Sequence, residues 1–206
     1  SDVGPDCRWV GNEEGWAPET CWGTLNTAGR YPGFGGPGYN SRTDLGIGHE
    51  GGSDWLPPEI DVSIRPGWFY HAAEDAKVKT VAKLLDLYYR SVGHGGNFLL
   101  NLTPDQRGLI HEIDCANLLG FRQALDAIFK TPLTAGVTVT ASATRGGAAA
   151  FAPSQVLVAG RETYWATDDD VRTAWIELAF PRATEVNHLV VQEPIQLGQR
   201  IRGWKL

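Results

Sequence analysis

The sequence lacks several features that mark particular classes of protein. It contains no methionine and only three cysteines, Cys7, Cys21 and Cys115, without CxxC spacing. Such a set predicts neither a disulfide scaffold nor a zinc site. The five histidines show no HExxH or paired ligand spacing, so we expect no metal and no cofactor. Because methionine is absent, we expect that Ser1 is not an initiator and that the chain is processed or part of a longer one.

Charge and hydropathy exclude further classes. The chain has 18 basic against 24 acidic residues, a net charge of −6, whereas a nucleic-acid binder needs a basic face. No apolar run reaches the roughly 18–20 residues of a membrane span, and no signal peptide is visible. We therefore expect no nucleic-acid partner and no membrane insertion.

Tryptophan and glycine are abundant, with 8 and 25 residues among 206. Gly-rich loops that carry tryptophan indicate a site that stacks flat apolar faces. Residues 1–54 are rich in both and show few periodic segments. A loop of this length within a compact domain is usually functional, so we expect residues 1–54 to contribute to a site.

Hydrophobic periodicity predicts an α/β arrangement over residues 55–130. The alternating run 59–64 and the apolar run 97–102 predict strands, the second one buried. Apolar residues at helical spacing predict helices over 74–92 and 110–129, and residues 93–96 predict a tight turn. This order is typical of a parallel sheet with helices packed outside it.

The pattern changes after residue 130. The runs 137–142, 174–180 and 186–191 alternate with period two and have no helix between them, which predicts the antiparallel sheet of a β-sandwich. We predict two domains, residues 1–130 and 131–206. Both are shorter than a complete (β/α)8 barrel, which takes about 250 residues, or a complete sandwich, which takes about 100.

Two clusters place carboxylates beside tryptophan on loops. They contain the candidate site residues Arg8, Trp9, Asn12 and Glu13 in residues 2–15, and Glu59, Arg65 and Trp68 in residues 55–71. These side chains are the ingredients of a glycosidase, because an apolar wall that keeps one carboxylic acid protonated also stacks on the sugar. The residue types alone leave open a plain salt bridge between Arg8 and Glu13 that pins a loop.

Three long strings carry a family resemblance. Residues 1–15, 55–71 and 91–105 resemble the α-L-fucosidases of glycoside hydrolase family 29, most closely the subfamily that acts on α-1,3/1,4-linked fucose of Lewis-type glycans. The strings at 141–146, 163–168 and 192–200 are similar to a galactose-binding-like, discoidin-type β-sandwich. The resemblance implies the C-terminal part of a (β/α)8-like barrel in residues 1–130 and the N-terminal part of an all-β jelly-roll sandwich in residues 131–206.

The resemblance also implies site residues for a retaining hydrolase. Glu13 would be the acid/base, on a loop at the carboxyl face if Ser1 and Asp2 end a barrel strand. Glu59 is the rival, because the acid/base of the other subfamily lies in a similar motif; otherwise Glu59 would bind substrate. The remaining substrate-binding residues would be Arg8 on the fucose oxygens, Trp68 stacked on the sugar, and Trp9, Asn12 and Arg65.

The nucleophile is missing from the expected position. In the family it is an aspartate in a Trp-Phe-Asp-Gly-like motif before the Gly-Pro-Asp string, and Asp6 and Asp61 belong to other motifs. We therefore expect a segment of a larger fucosidase that, as an isolated chain, neither folds stably nor hydrolyses an aryl fucoside.

The expected partner is a fucosylated oligosaccharide or glycoconjugate. Because such glycans are extracellular, we expect a secreted or periplasmic protein. The alternative function is a non-catalytic carbohydrate-binding module for fucose or galactose, which intact Glu13 and Glu59 motifs argue against.

Overall fold

A computed structural model describes residues 7–27, 42–160 and 162–206. The chain divides into two compact units, Ser1–Ala127 and Ile128–Leu206. Among the described residues, no helix is both long and apolar enough to cross a membrane.

Short strands and helices follow one another along the chain. They are β1 (Arg8–Trp9), β2 (Thr24–Leu25), α1 (Arg42–Ile47), β3 (Asp54–Trp55), β4 (Pro58–Ser63), α2 (Val81–Ser91), β5 (Asn97–Asn101), α3 (Glu112–Phe129), β6 (Thr138–Ala141) and β7 (Ile176–Ala179). In the first unit β1, β4 and β5 form a parallel sheet with β4 in the middle, and β2 pairs with β3 in an antiparallel ribbon.

The central strand β4 has one apolar face and one polar face. Because side chains alternate along a strand, Ile60 and Val62 lie on one face, where both are buried, and Asp61 and Ser63 lie on the other. The register aligns Ser63 with Asn101 of β5, which extends the polar face to that strand. The parallel sheet predicted from the sequence is therefore present, and one of its faces is available for a polar site.

The apolar core of the unit joins the sheet to the helices. Ile64, Val78 and Leu84 form a buried cluster, and four partly buried residues pack against it: Leu100, Leu102, Leu118 and Phe121. Since these residues come from the end of β4, from β5 and from both helices, the cluster holds α2 and α3 against the end of the sheet. Burial of each large apolar side chain contributes about 1.5–3 kcal/mol.

The helix predicted over 74–92 begins later than expected, at Val81. Residues Ala72–Lys77 form a separate 3-10 helix, and the backbone N–H of Lys79 donates to the carbonyl of Ile64 at 2.9 Å instead of continuing a helix. Thr80 then caps α2, since its Oγ1 accepts from the N–H of Lys83 at 3.3 Å. A threonine cap of this kind stabilises a helix start by about 1 kcal/mol.

The strand predicted over 97–102 is present but less buried than expected. Leu99 is 45% exposed, since it lies on the polar face of the sheet. Within the described part of the chain β5 pairs with β4 alone, so it is an edge strand there. The tight turn before it is confirmed: Gly95, with φ +83°, ends a short 3-10 segment by donating to the carbonyl of Val92 at 2.9 Å.

The first 54 residues contain more regular structure than their composition indicated, because β1, β2 and α1 all lie there. The expected strand end at Ser1 and Asp2 lies outside the described residues. The strand that the structure places before Glu13 is β1, and it runs parallel to β4.

The second unit contains an antiparallel pair, β6 with β7, in which Thr138 aligns with Ala179 and Ala141 with Ile176. The third predicted strand, residues 186–191, is not a strand, and its side chains are exposed. Among the described residues no strand pairs with it. Period-two alternation gives a strand only where a neighbour takes up the backbone hydrogen bonds.

Thiol reactivity is a test of the first unit's packing. Cys7 is exposed, whereas Cys21 is buried and its Sγ donates to the carbonyl of Gly46 at 3.3 Å. Burial raises the pKa of the Cys21 thiol, although the neighbouring Arg8 acts in the opposite direction. In the folded protein we expect iodoacetamide to modify Cys21 more than about tenfold more slowly than Cys7. Mass spectrometry over time measures both rates, and equal rates before denaturation would contradict the described packing.

Candidate active site

An open cleft of about 610 Å³ lies at the carboxyl ends of the parallel strands. It is lined by Glu13, Asp61, Trp68, Phe69 and Asn101. Glu13 follows β1, Trp68 and Phe69 follow β4, and Asn101 is the last residue of β5. Loops after neighbouring parallel strands meet at one edge of a sheet, which is where α/β enzymes place their sites.

Glu13 and Trp68 come together in this cleft although 55 residues separate them in the sequence. The indole Nε1 of Trp68 donates to Oε2 of Glu13 at 2.7 Å. The backbone of Trp68 is held in turn by Asn101, whose Nδ2 donates to its carbonyl oxygen at 3.2 Å. The Glu13 side chain is exposed, so one carboxylate oxygen is fixed by the indole while the group remains accessible to a substrate.

A second carboxylate in the cleft, Asp61, is missing from the sequence-predicted site. Its Oδ1 accepts from the indole Nε1 of Trp9 at 2.7 Å, and its side chain shares the polar face of β4 with Ser63. The signal was the alternation of residues 59–64, which puts Asp61 on the face opposite the apolar residues Ile60 and Val62. The structure thus gives the cleft two carboxylates, each with a tryptophan donor.

The runner-up Glu59 is not among the residues that line the cleft, although it lies on the same face of β4 as Asp61. It is the second residue of β4 and aligns with Trp9 of β1, four residues before the strand ends at Ser63. Its Oε2 accepts a weak hydrogen bond from Cys7 Sγ at 3.7 Å. The structure therefore brings Glu13, rather than Glu59, to the cleft.

The Arg8 side chain lies on the face of the sheet opposite the polar face that carries Asp61. It is 4% exposed and donates to the carbonyls of Leu45 at 2.8 Å and Leu56 at 2.6 Å. Burial lowers the pKa of its guanidinium, although the neighbouring Cys21 acts in the opposite direction. The salt bridge between Arg8 and Glu13 left open by the sequence does not form, and the structure does not bring Arg8 to the cleft because alternation in β1 points it away.

Asn12 is also engaged by its own loop. Its Nδ2 donates to the carbonyl of Trp16 at 3.1 Å, and its Oδ1 accepts from the N–H of Glu14 at 3.0 Å. These bonds shape the turn that carries Glu13, so the structure gives Asn12 a supporting position and does not expose its amide to a substrate.

Arg65 is fully buried beneath the Trp68 loop. Its guanidinium binds Asp114 of α3 through two bonds of 2.9 and 3.0 Å and Asp75 at 2.8 Å, and it lies over the ring of Tyr70. Burial disfavours the charge, but the hydrogen bonds to Asp114 and Asp75 outweigh it, so the pKa of Arg65 is raised. Arg65 anchors the loop of Trp68 and does not line the cleft.

A cleft at the carboxyl edge of a parallel sheet, with carboxylates held by tryptophan, is typical of α/β enzymes that act on sugars. A family model described as alpha-L-fucosidase matches residues 45–126. The curated protein Alpha-L-fucosidase 1 of Arabidopsis thaliana is 41% identical over 207 residues, which cover 100% of this chain and 40% of the relative. The chain thus spans about two-fifths of that relative's length.

The comparison with solved structures also finds fucosidases. A GH29 fucosidase of Ruminococcus gnavus, determined in complex with fucose, is 31% identical with a TM-score of 0.73 and matches over 84% of this chain and 34% of its own. A second structure, described as an α-L-fucosidase from Bacteroides thetaiotaomicron, is 38% identical with a TM-score of 0.75. The match covers 86% of this chain and 37% of that structure's chain. Together these matches support the α-L-fucosidase family, glycoside hydrolase family 29, for this chain.

Proposed function

We propose that the natural polypeptide carrying this sequence is a retaining exo-α-L-fucosidase in which Glu13 is the acid/base. The observation that carries the proposal is the position of Glu13 in the cleft, with Trp68 Nε1 at 2.7 Å from Oε2. The placement of Glu59 at the start of β4 supports Glu13 over its rival.

The reaction proceeds in two steps. An aspartate carboxylate, which the family resemblance places in a motif before the Gly-Pro-Asp string, attacks the anomeric carbon while the glycosidic C–O bond breaks and Glu13 gives its proton to the leaving oxygen. Glu13, now a carboxylate, takes a proton from water. The water oxygen attacks the anomeric carbon, the ester to the aspartate breaks, and fucose leaves with its original anomeric configuration.

The sugar-facing residues of the proposal are Trp68 and Trp9. An indole face packs against the apolar face of a sugar ring or the methyl group of fucose, and both rings are held by hydrogen bonds to cleft carboxylates. Arg8, Asn12 and Arg65 take supporting positions, because each is buried and bonded to the protein.

The proposal also includes the substrate class, the location and the two domain folds. The likeness of residues 1–15, 55–71 and 91–105 to the α-1,3/1,4 subfamily supports Lewis-type or related fucosylated glycans as substrates, and hence a secreted or periplasmic location. The parallel sheet supports the assignment of the first unit to a (β/α)8 barrel. The antiparallel pair supports a galactose-binding-like sandwich in the second unit.

Product stereochemistry and linkage preference test the function. The natural polypeptide is incubated with an aryl α-L-fucoside, and the first product is observed by NMR before mutarotation. We expect α-L-fucose, and a kcat/KM about 100-fold higher for glycans with α-1,3- or α-1,4-linked fucose than for α-1,2-linked ones. β-L-Fucose as first product would exclude the retaining mechanism, and fucose binding without hydrolysis would favour the carbohydrate-binding module.

A further inference from the structure

The hydrogen-bonded pair of Trp9 and Asp61 is the feature of the cleft that the acid/base mechanism does not use. We propose, on the basis of the proposed function, that Asp61 is a substrate-binding residue that accepts hydrogen bonds from the ring hydroxyls of the terminal fucosyl unit. The structure brings this carboxylate into the same cleft as Glu13, Trp68 and Asn101.

The depth of Asp61 in the cleft indicates which sugar it contacts. Asp61 lies within β4, two residues before the strand ends at Ser63, or about 6.6 Å along a strand at about 3.3 Å per residue. Glu13 follows β1, and Trp68 follows β4. An exo-acting enzyme holds the terminal sugar at the bottom of its cleft, and its acid/base meets the bond to the leaving group nearer the rim. Asp61 is therefore at the level of the terminal ring.

The chemistry of the pair fits a hydroxyl ligand. A carboxylate has two acceptor oxygens, and Trp9 Nε1 donates to only one of them, Oδ1. Because this bond fixes the carboxylate, Oδ2 is held in one direction and can accept from a sugar hydroxyl. The Asp61 side chain is half-buried, which reduces competition from water for that bond.

The substitution Asp61→Asn in the natural polypeptide tests the proposal, since it keeps the size but replaces one acceptor oxygen by a donor. We expect kcat/KM for an aryl α-L-fucoside to fall about 10- to 100-fold, the range for a hydrogen bond to a charged group. The factor should be the same for good and poor leaving groups. The loss of kcat/KM caused by Asp61→Asn should also be measured with the 2-, 3- and 4-deoxyfucosides. It should be smaller for the analogue that lacks the hydroxyl bound by Asp61. An equal loss with every analogue would overturn the proposal.

Equilibrium binding separates this inference from the proposed function. We expect Asp61→Asn to raise the Kd for L-fucose about tenfold or more, whether or not the protein hydrolyses fucosides. A wild type that binds fucose without hydrolysis contradicts the proposed function only. An unchanged Kd in the variant contradicts the inference only.

Trp9→Phe is the matched control, because it removes the indole donor and keeps Asp61. If Asp61 served only to anchor Trp9, Asp61→Asn would lose no more activity than Trp9→Phe, because the asparagine oxygen can still accept from the indole; that result would overturn the proposal. We expect Asp61→Asn to lose more than Trp9→Phe. Formation of β-fucosyl azide by Asp61→Gly with added azide would identify a nucleophile and would overturn it as well.

Discussion

Replacing Glu13 by alanine in the natural polypeptide is expected to lower kcat/KM for a Lewis-type trisaccharide by about 10³-fold or more. A positioned general acid contributes about 10²- to 10⁴-fold, and a sugar alkoxide is a poor leaving group without a proton. Steady-state kinetics with the trisaccharide and with 2,4-dinitrophenyl α-L-fucoside measure the effect. The first step should be nearly unaffected with the aryl substrate, because its leaving group needs no proton.

Azide identifies the step that Glu13 serves. In Glu13→Ala the fucosyl-enzyme accumulates, because no base activates water, and azide can attack the anomeric carbon without losing a proton. We expect the rate with the aryl substrate to recover and α-L-fucosyl azide to form. The matched control is Glu59→Ala, which removes a carboxylate from a residue that does not line the cleft and should lower kcat/KM less than about tenfold. A larger loss at Glu59 than at Glu13 would reverse the assignment.

The substitution Asp114→Ala is expected to lower the free energy of unfolding by about 3–5 kcal/mol, the range for breaking a buried ion pair by removing one partner. Asp114 and the Arg65 side chain are both 0% exposed, and Nε of Arg65 lies 2.9 Å from Oδ2 of Asp114. Without Asp114 the guanidinium keeps Asp75 but loses both bonds of the forked contact. Urea unfolding of the natural polypeptide, followed by fluorescence, measures the change.

The same helix offers a control for Asp114. Asp126 of α3 forms an ion pair with Arg122 at 3.0 Å, but this pair is open to solvent, with side chains 74% exposed for Arg122 and 38% exposed for Asp126. Exposed pairs contribute about 0–1 kcal/mol, so Asp126→Ala should change the free energy of unfolding by less than about 1 kcal/mol. If the two variants lost similar amounts of unfolding free energy, the Arg65–Asp114 contact would stabilise the protein no more than a surface ion pair.

The elements between residues 58 and 129 could be predicted because their apolar residues repeat at strand or helix spacing. The late start of α2 could not, since the apolar Val78 fits the helical pattern and still packs in the core from an extended segment. For residues 186–191 the sequence predicts a strand that the structure does not contain. Their alternation is real, but alternation does not supply the neighbouring strand that a sheet requires.

The candidate site was predictable in part. The sequence places carboxylates close to tryptophan in the loops that carry Glu13 and Trp68, and both of these residues line the cleft. The sequence does not distinguish an arginine that binds substrate from one that is buried in the core. Arg8 and Arg65 are both buried. The alternation of residues 59–64 indicates the face of β4 on which Asp61 lies, and the parallel register with β5 shows that this face leads to Asn101 in the cleft.

The geometry around Glu13 depends on a distant part of the sequence, the helix α3, through the loop that carries Trp68. The loop that carries Trp68 is tied to α3 through Arg65 and Asp114, and Asp114 lies 101 residues after Glu13 in the sequence. Without α3 in place, the guanidinium of Arg65 lacks both of its bonds to Asp114. A polypeptide in which α3 is not docked therefore also lacks the buried anchor of the loop that carries Trp68.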